Sequence, residues 1–116
     1  MTRVKRGIVT HKRHKKLLKQ TKGFFGQRKN IYRRAHETLM RAMAFAFVGR
    51  KLKKRNMRAL FITRIKAAAQ ANGLKYNKLI HGLKKAHVML NRKMLSQIAV
   101  FDAQVFTNIV DIAQRA

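Results

Sequence analysis

Glu37, Asp102 and Asp111 are the only carboxylate side chains in a chain of 116 residues. Chemistry that needs two carboxylates as acid and base, or a carboxylate cage around a hard cation, has almost nothing to draw on. Cysteine is absent, which removes thiolate nucleophiles, thiolate zinc sites and disulfides. His11 and His14 stand three residues apart, a spacing that can hold a metal on one helix face. No third ligand lies near them, and Lys12, Arg13, Lys15 and Lys16 crowd around. They are expected as polar members of a basic surface, with no metal and no cofactor. His36, His81 and His87 have no catalytic partners in the sequence, and no Walker loop, dinucleotide fingerprint or nucleophile elbow occurs. The expectation is a protein that is not an enzyme.

The abundant chemistry is cationic. Twenty-nine Lys and Arg give a formal net charge of +26. The cations cluster as Lys12-Arg13-His14-Lys15-Lys16, Arg28-Lys29, Arg33-Arg34 and Arg50-Lys51-Leu52-Lys53-Lys54-Arg55, with Phe24, Phe25, Asn30 and Tyr32 between them. Ammonium and guanidinium groups neutralise phosphates, and Arg can also fork onto a phosphate or stack on a base. A chain this charged repels itself when alone, so a permanent polyanionic partner is expected rather than a merely solvated helix face. Charge alone does not separate RNA from DNA. Phe24 and Phe25, between two glycines, either stack on bases or anchor a turn against a helix.

The elements that carry these groups read as helices. Proline is absent, and no stretch shows strand alternation with turn signals. Residues 1–9 are expected to be extended. A basic helix follows from about Thr10, its cap, to Lys22, and Gly23-Phe24-Phe25-Gly26 breaks it. Asn30 is placed to cap a long helix that ends near Asn72, with Gly73 at the left-handed stop. Tyr32, Ala35, Leu39, Ala42, Met43 and Ala46 fall on one stripe of that helix. From Arg50 to Arg58 six cations in nine residues go all around it. Without counter-charge this segment is expected to be poorly helical, and the arm before Asn30 disordered. Leu60, Phe61, Ile65 and Ala68 then restore an apolar stripe. Three shorter helices are expected, one over about Tyr76 to His87, one capped by Asn91 and one capped by Asp102. Leu90/Leu95 and Phe101/Phe106 sit at staple positions around the last two caps. The expected small core is Leu79, Ile80, Leu83, Met94, Leu95, Ile98, Phe101, Phe106, Ile109 and Val110. Gly82, inside a helix, marks close packing of another helix or of a backbone.

Residues 1–58 hold 20 Lys/Arg against one acid, and residues 59–116 hold nine against two. The expected organisation is therefore a basic binding arm with a long helix over 1–58 and a compact helical domain over 59–116, the long helix continuing to about residue 72. A 58-residue domain is near the lower size limit for folding alone. No apolar run reaches the ~20 residues of a spanning helix, and the N-terminal run lacks the apolar core of a secretory signal. It reads as mature protein of the cytoplasm or of an organelle.

Several segments, in order, carry a family resemblance. They are Arg3-Val4-Lys5-Arg6-Gly7, Arg13-His14-Lys15-Lys16, Lys22-Gly23-Phe24-Phe25-Gly26, Arg50-Lys51, Lys54-Arg55, Arg58-Ala59-Leu60 and Ile62 to Ala68. Further on come Asn72-Gly73-Leu74-Lys75-Tyr76, Gly82-Leu83-Lys84-Lys85-Ala86 and Leu90-Asn91-Arg92-Lys93. In this order they closely resemble the bacterial and organellar large-subunit ribosomal protein L-twenty family, over about Thr2 to Ile112. The resemblance implies an all-α protein with an extended basic N-terminal arm, a long helix and a small C-terminal helical domain. It implies direct binding to large-subunit (23S-type) rRNA early in subunit assembly, neighbouring ribosomal proteins as partners, and in some members repression of the protein's own mRNA. It adds Arg3, Lys5, Arg6, Lys22 and Arg58 to the candidate rRNA contacts, and Asn91, Arg92 and Lys93 from the C-terminal domain.

The chain departs from the family pattern at Phe61, where Trp is usual, and at Val48-Gly49, where an acid commonly precedes Arg50. Lys66 stands for a common Asn and Lys75 for a common Ser cap. Gly49 weakens the helix by ~1 kcal/mol relative to Ala, and Lys75 shifts the expected helix start to Asn77. Three other functions compete. A histone-like DNA-compacting protein shares the charge but would show repeated basic tails, a dimerising helix pattern or a β-arm. A nuclease built on His11 and His14 lacks carboxylates. A membrane-active cationic peptide lacks a sustained bulky apolar face beside its cations, and no small-molecule substrate is implied.

Overall fold

The computed structural model describes Arg3 and residues 7–115, and among them every regular element is helical. The elements are α1 (Ile8–Gln20), a short 3-10 turn (Gly26–Lys29), α2 (Tyr32–Ala71), α3 (Tyr76–Lys85), α4 (Arg92–Phe101) and α5 (Ala103–Arg115). The all-α class expected from the sequence is the class observed. The chain forms two compact units, Met1–Lys51 and Leu52–Ala116, and α2 runs through the boundary.

In the first unit, α1 starts earlier than expected. Gly7, not Thr10, occupies the cap position, and the His11 amide donates to the Gly7 carbonyl at 3.3 Å. Thr10 falls inside the first turn, and Ile8 and Val9 are helical rather than extended. The helix has two sides. His14, Leu17 and Leu18 are half-buried and Thr21 is fully buried, while Lys12, Lys15, Lys16 and Lys19 are exposed. Gly23 (φ 87°) and Gly26 (φ 56°) take left-handed backbone that turns the chain after α1. Asn30 does not cap α2. It closes the 3-10 turn, its amide donating to the Gln27 carbonyl at 3.3 Å, and α2 is entered through Ile31, whose carbonyl accepts from Ala35 at 2.8 Å.

α2 is one helix of 40 residues. The stripe of its first part is covered only at its beginning: Ala35 is buried, Tyr32, Leu39 and Ala42 are half-buried, and every residue from 43 to 60 is exposed. The helix is unbroken through Arg50–Arg58, and α1 is formed before Asn30. Lys, Arg, Leu and Met are good helix formers. Their charged ends reach into water, where each like pair costs only a few tenths of a kcal/mol.

The second unit holds the core. Ile65 and Ala69 of α2 meet Leu79 and Leu83 of α3, Leu95 of α4, and Phe106, Ile109, Val110 and Ala113 of α5. α2 ends as expected at Gly73 (φ 74°), where the Leu74 amide reaches the Ala69 carbonyl at 2.9 Å and the Gly73 amide reaches Gln70 at 3.0 Å. α3 ends in the same way at His87 (φ 52°), with Val88 donating to Leu83 at 2.9 Å and His87 to Lys84 at 3.2 Å. α3 begins at Tyr76 with Lys75 as an uncapped first residue, so the expected shift to Asn77 does not occur. The Asn91 Oδ1 accepts from the Met94 amide at 2.9 Å, and the Asp102 Oδ1 accepts from Val105 at 3.1 Å, so both expected caps are present.

Two expected core residues lie outside. Met94 is exposed and Phe101 is 84 % exposed. The inward positions of α4 are Leu95, Ser96, Ile98 and Ala99, and Met94 and Phe101, seven residues apart, lie on the opposite face. Phe106 is buried without Phe101, so the second staple does not form, whereas Leu90 and Leu95 both belong to the core.

Candidate nucleic-acid interface

The basic residues of the first unit are presented by helix faces that bury other side chains. On α1 the inner side holds His14, Leu17, Leu18 and Thr21, which leaves Lys12, Arg13, Lys15 and Lys16 in solvent. The His14 ring stacks on Tyr32 of α2, centroids 4.0 Å apart and planes 28° from parallel. Tyr32 in turn lies 6.0 Å from His36 at 25°. His14 is thus placed on the packing side of α1, away from the cations it neighbours in sequence. The column His14–Tyr32–His36 was missed from sequence. Its signal was the four-residue spacing of Tyr32 and His36, which puts two rings on one helix face.

The glycine-flanked aromatics divide. Phe24 is half-buried, with its amide bonded to the Thr21 carbonyl at 3.0 Å, and Phe25 is 91 % exposed. Lys22, Arg28, Lys29, Arg33 and Arg34 are exposed around this turn. Arg41 pairs with Glu37 at 3.0 Å, a solvent-exposed i, i+4 bridge worth ~0.3–0.5 kcal/mol. Along α2, Arg50, Lys51, Lys53, Lys54, Arg55 and Arg58 are all exposed, and the Lys51 Nζ sits 4.4 Å from the Phe47 ring centroid. Arg3 is exposed, and Lys5 and Arg6 lie outside the described residues. Among the described residues, none of the expected contact cations is held in an ion pair.

In the second unit, Asn91, Arg92 and Lys93 begin α4. The Asn91 oxygen is committed to its cap, and the Arg92 Nε donates to the Tyr76 hydroxyl at 3.1 Å, which ties the start of α4 to the start of α3. Lys93 is exposed. Lys66 and Lys75, which were not among the expected contacts, line an open groove of about 670 Å³ with Gln70, Leu74, Tyr76 and Asn77. Among the described residues, no three His, Asp or Glu side chains converge as a metal site, and no helix is long and apolar enough to cross a membrane.

Helices that bury almost nothing over much of their length, and that carry most of the exposed cations, define a helical protein with a strongly basic surface. The family model described as Ribosomal protein L20 matches residues 3–109. Among curated relatives, the "Large ribosomal subunit protein bL20" of Clostridium novyi is 51 % identical over 115 residues, covering 99 % of this chain and 97 % of its own. That of Maridesulfovibrio salexigens is 54 % identical over 112 residues, covering 97 % and 96 %. That of Caldanaerobacter subterraneus is 49 % identical over 115 residues, covering 99 % and 97 %. The chain belongs to the ribosomal protein L20 family. Membership gives it a structural role in the ribosome rather than an enzymatic one.

Proposed function

We propose that this chain binds large-subunit (23S-type) rRNA directly and holds segments of it together while the subunit assembles. The observation that carries this reading is the number of exposed cations on α1 and α2, from Lys12 to Arg58, of which Arg41 alone has an ion-pair partner, Glu37, among the described residues. Phosphate contacts from Lys12, Arg13, Lys15, Lys16, Lys22, Arg28, Lys29, Arg33 and Arg34 would be joined by those of Arg50, Lys51, Lys53, Lys54, Arg55 and Arg58. Arg3, Lys5 and Arg6 are further candidate phosphate contacts by their charge, and Phe25 offers an exposed ring for stacking on a base. Residues 1–58 supply most of the salt-sensitive affinity in this reading. The 59–116 domain adds Arg92 and Lys93, oriented by the Asn91 cap and the Tyr76 hydroxyl. The protein works on the ribosome, beside other proteins of the large subunit, and its own mRNA is a further RNA ligand to try.

The test is affinity for folded large-subunit rRNA against duplex DNA at equal, moderate salt, with the protein's own mRNA as a third ligand. Preference for the rRNA by tenfold or more supports the reading. Equal affinity for duplex DNA would replace it with DNA compaction.

A further inference from the structure

The less exposed positions of α1 are Thr10, His14, Leu17, Leu18 and Thr21, and those at the start of α2 are Tyr32, Ala35, Thr38, Leu39 and Ala42. Each set falls on one helix face. Both sets belong to the first unit, and the stack of His14 on Tyr32, centroids 4.0 Å apart, joins the two helices. A helix turns about 100° per residue, so Lys12, Lys16 and Lys19 stand about 140–160° around α1 from His14, with Arg13 and Lys15 about 100° from it on either side. All five cations are exposed. Rotating α1 by one residue would turn Arg13 or Lys15 toward α2, where an unpaired charge is costly, and would swing the outer three away from the free side.

Something directional has to fix that rotation. Burial of Leu17 and Leu18 is non-directional, whereas stacked rings hold a set angle, here 28°. Tyr32 also lies against a second ring, His36, at 6.0 Å and 25°, which restrains its own side chain. We propose that Tyr32 is a positioning residue of the rRNA interface. Its ring fixes the rotation of α1 through His14, so that Lys12, Lys16 and Lys19 form one outward ridge before rRNA arrives. Tyr32 is uncharged in this role and neutralises no phosphate. Its contribution is preorganisation: a protein whose competent arrangement is only partly populated binds more weakly by that fraction. A stacked ring pair is worth a factor of about 2–12 in such a population. The inference rests on the proposed binding of large-subunit rRNA and names the residue that readies α1 for it.

Proton NMR of the RNA-free full chain reads the stack itself. The His14 ring protons should lie upfield, should return to ordinary positions in Tyr32→Ala, and should stay upfield in Tyr32→Phe. Unshifted His14 protons in the parent would overturn the positioning, whatever the protein does with RNA. Affinity for folded large-subunit rRNA at moderate salt reads the consequence. Tyr32→Ala should bind about three- to tenfold more weakly, with the salt slope of the parent, because no cation is lost. Tyr32→Phe should stay within about 1.5-fold of the parent, since the ring is kept. His14→Ala should show the same loss as Tyr32→Ala, and the double variant no further loss, because the two rings act as one contact. Full affinity of Tyr32→Ala, a Phe variant as weak as the Ala variant, or losses that multiply would each overturn the positioning and leave the rRNA reading standing. A parent that binds duplex DNA as well as this rRNA would sink the rRNA reading, and the positioning with it, even with the His14 protons shifted.

Discussion

Gly82 of α3 lies directly against the backbone of Ala113 of α5: a β-carbon built on Gly82 would overlap the Ala113 carbonyl, with its Cα 2.9 Å away. Both residues are buried, so the two helices meet there without a side chain between them. Replacing a helical Gly by Ala ordinarily gains ~1 kcal/mol. Here the neighbour is backbone and cannot swing aside, so overpacking wins. Gly82→Ala should lower stability by ~1–3 kcal/mol, read as a lower unfolding midpoint. A midpoint that rises would show that α3 and α5 are not held this close.

Asp102→Ala should cost the C-terminal unit ~1 kcal/mol. Its Oδ1 accepts the Val105 amide at 3.1 Å at the start of α5, where a negative charge is also favoured by the helix dipole. Denaturant unfolding measures the loss. An unchanged midpoint would mean that the cap contributes nothing.

His87 stands where a Gly would be expected. It closes α3 at φ 52°, and left-handed backbone costs a residue with a β-carbon ~1–2 kcal/mol. His87→Gly should therefore stabilise the C-terminal unit, by up to ~1 kcal/mol after the entropy of the unfolded Gly is subtracted. His87→Val, β-branched, should destabilise it. The same midpoint for Gly and Val variants would contradict the left-handed closure.

Arg50–Arg58 is helical but has nothing packed on it, and every residue in it is exposed. Six cations in nine residues repel along this part of α2, and Gly49 precedes them. Amide exchange in the RNA-free protein should be faster at 50–58 than at 62–70, where Ile65 and Ala69 enter the core, and rRNA should slow it. Equal protection of the two segments at low salt, without RNA, would show that the helix needs no counter-charge.

What could be read ahead of the structure divides by range. Asn91, Asp102 and Gly73 were legible because a cap or a stop is a local bargain between one residue and the next few amides or carbonyls. Thr10 and Asn30 misled for the same reason in reverse. Both are good caps, but Gly7 had already started α1, and Asn30 was taken up by the 3-10 turn that two left-handed glycines set up. Phe101 has the right spacing for a staple, yet the face of α4 that turns inward is chosen by α5 and α3, which no local pattern states. The basic surface was legible as charge. Which side of α1 it occupies was not, because that depends on the ring of Tyr32 against His14.

The central claim is that the exposed cations of α1 and α2 neutralise rRNA phosphates, and the salt dependence of binding tests it most directly. If about 10 phosphates are neutralised, log K for large-subunit rRNA should fall with log salt at a slope of roughly −7 to −9. Changing Lys12, Arg13, Lys15 and Lys16 together to Gln should make that slope shallower by about 3. An unchanged slope in the fourfold variant would contradict the account, because the face of α1 would then make no contact with phosphate.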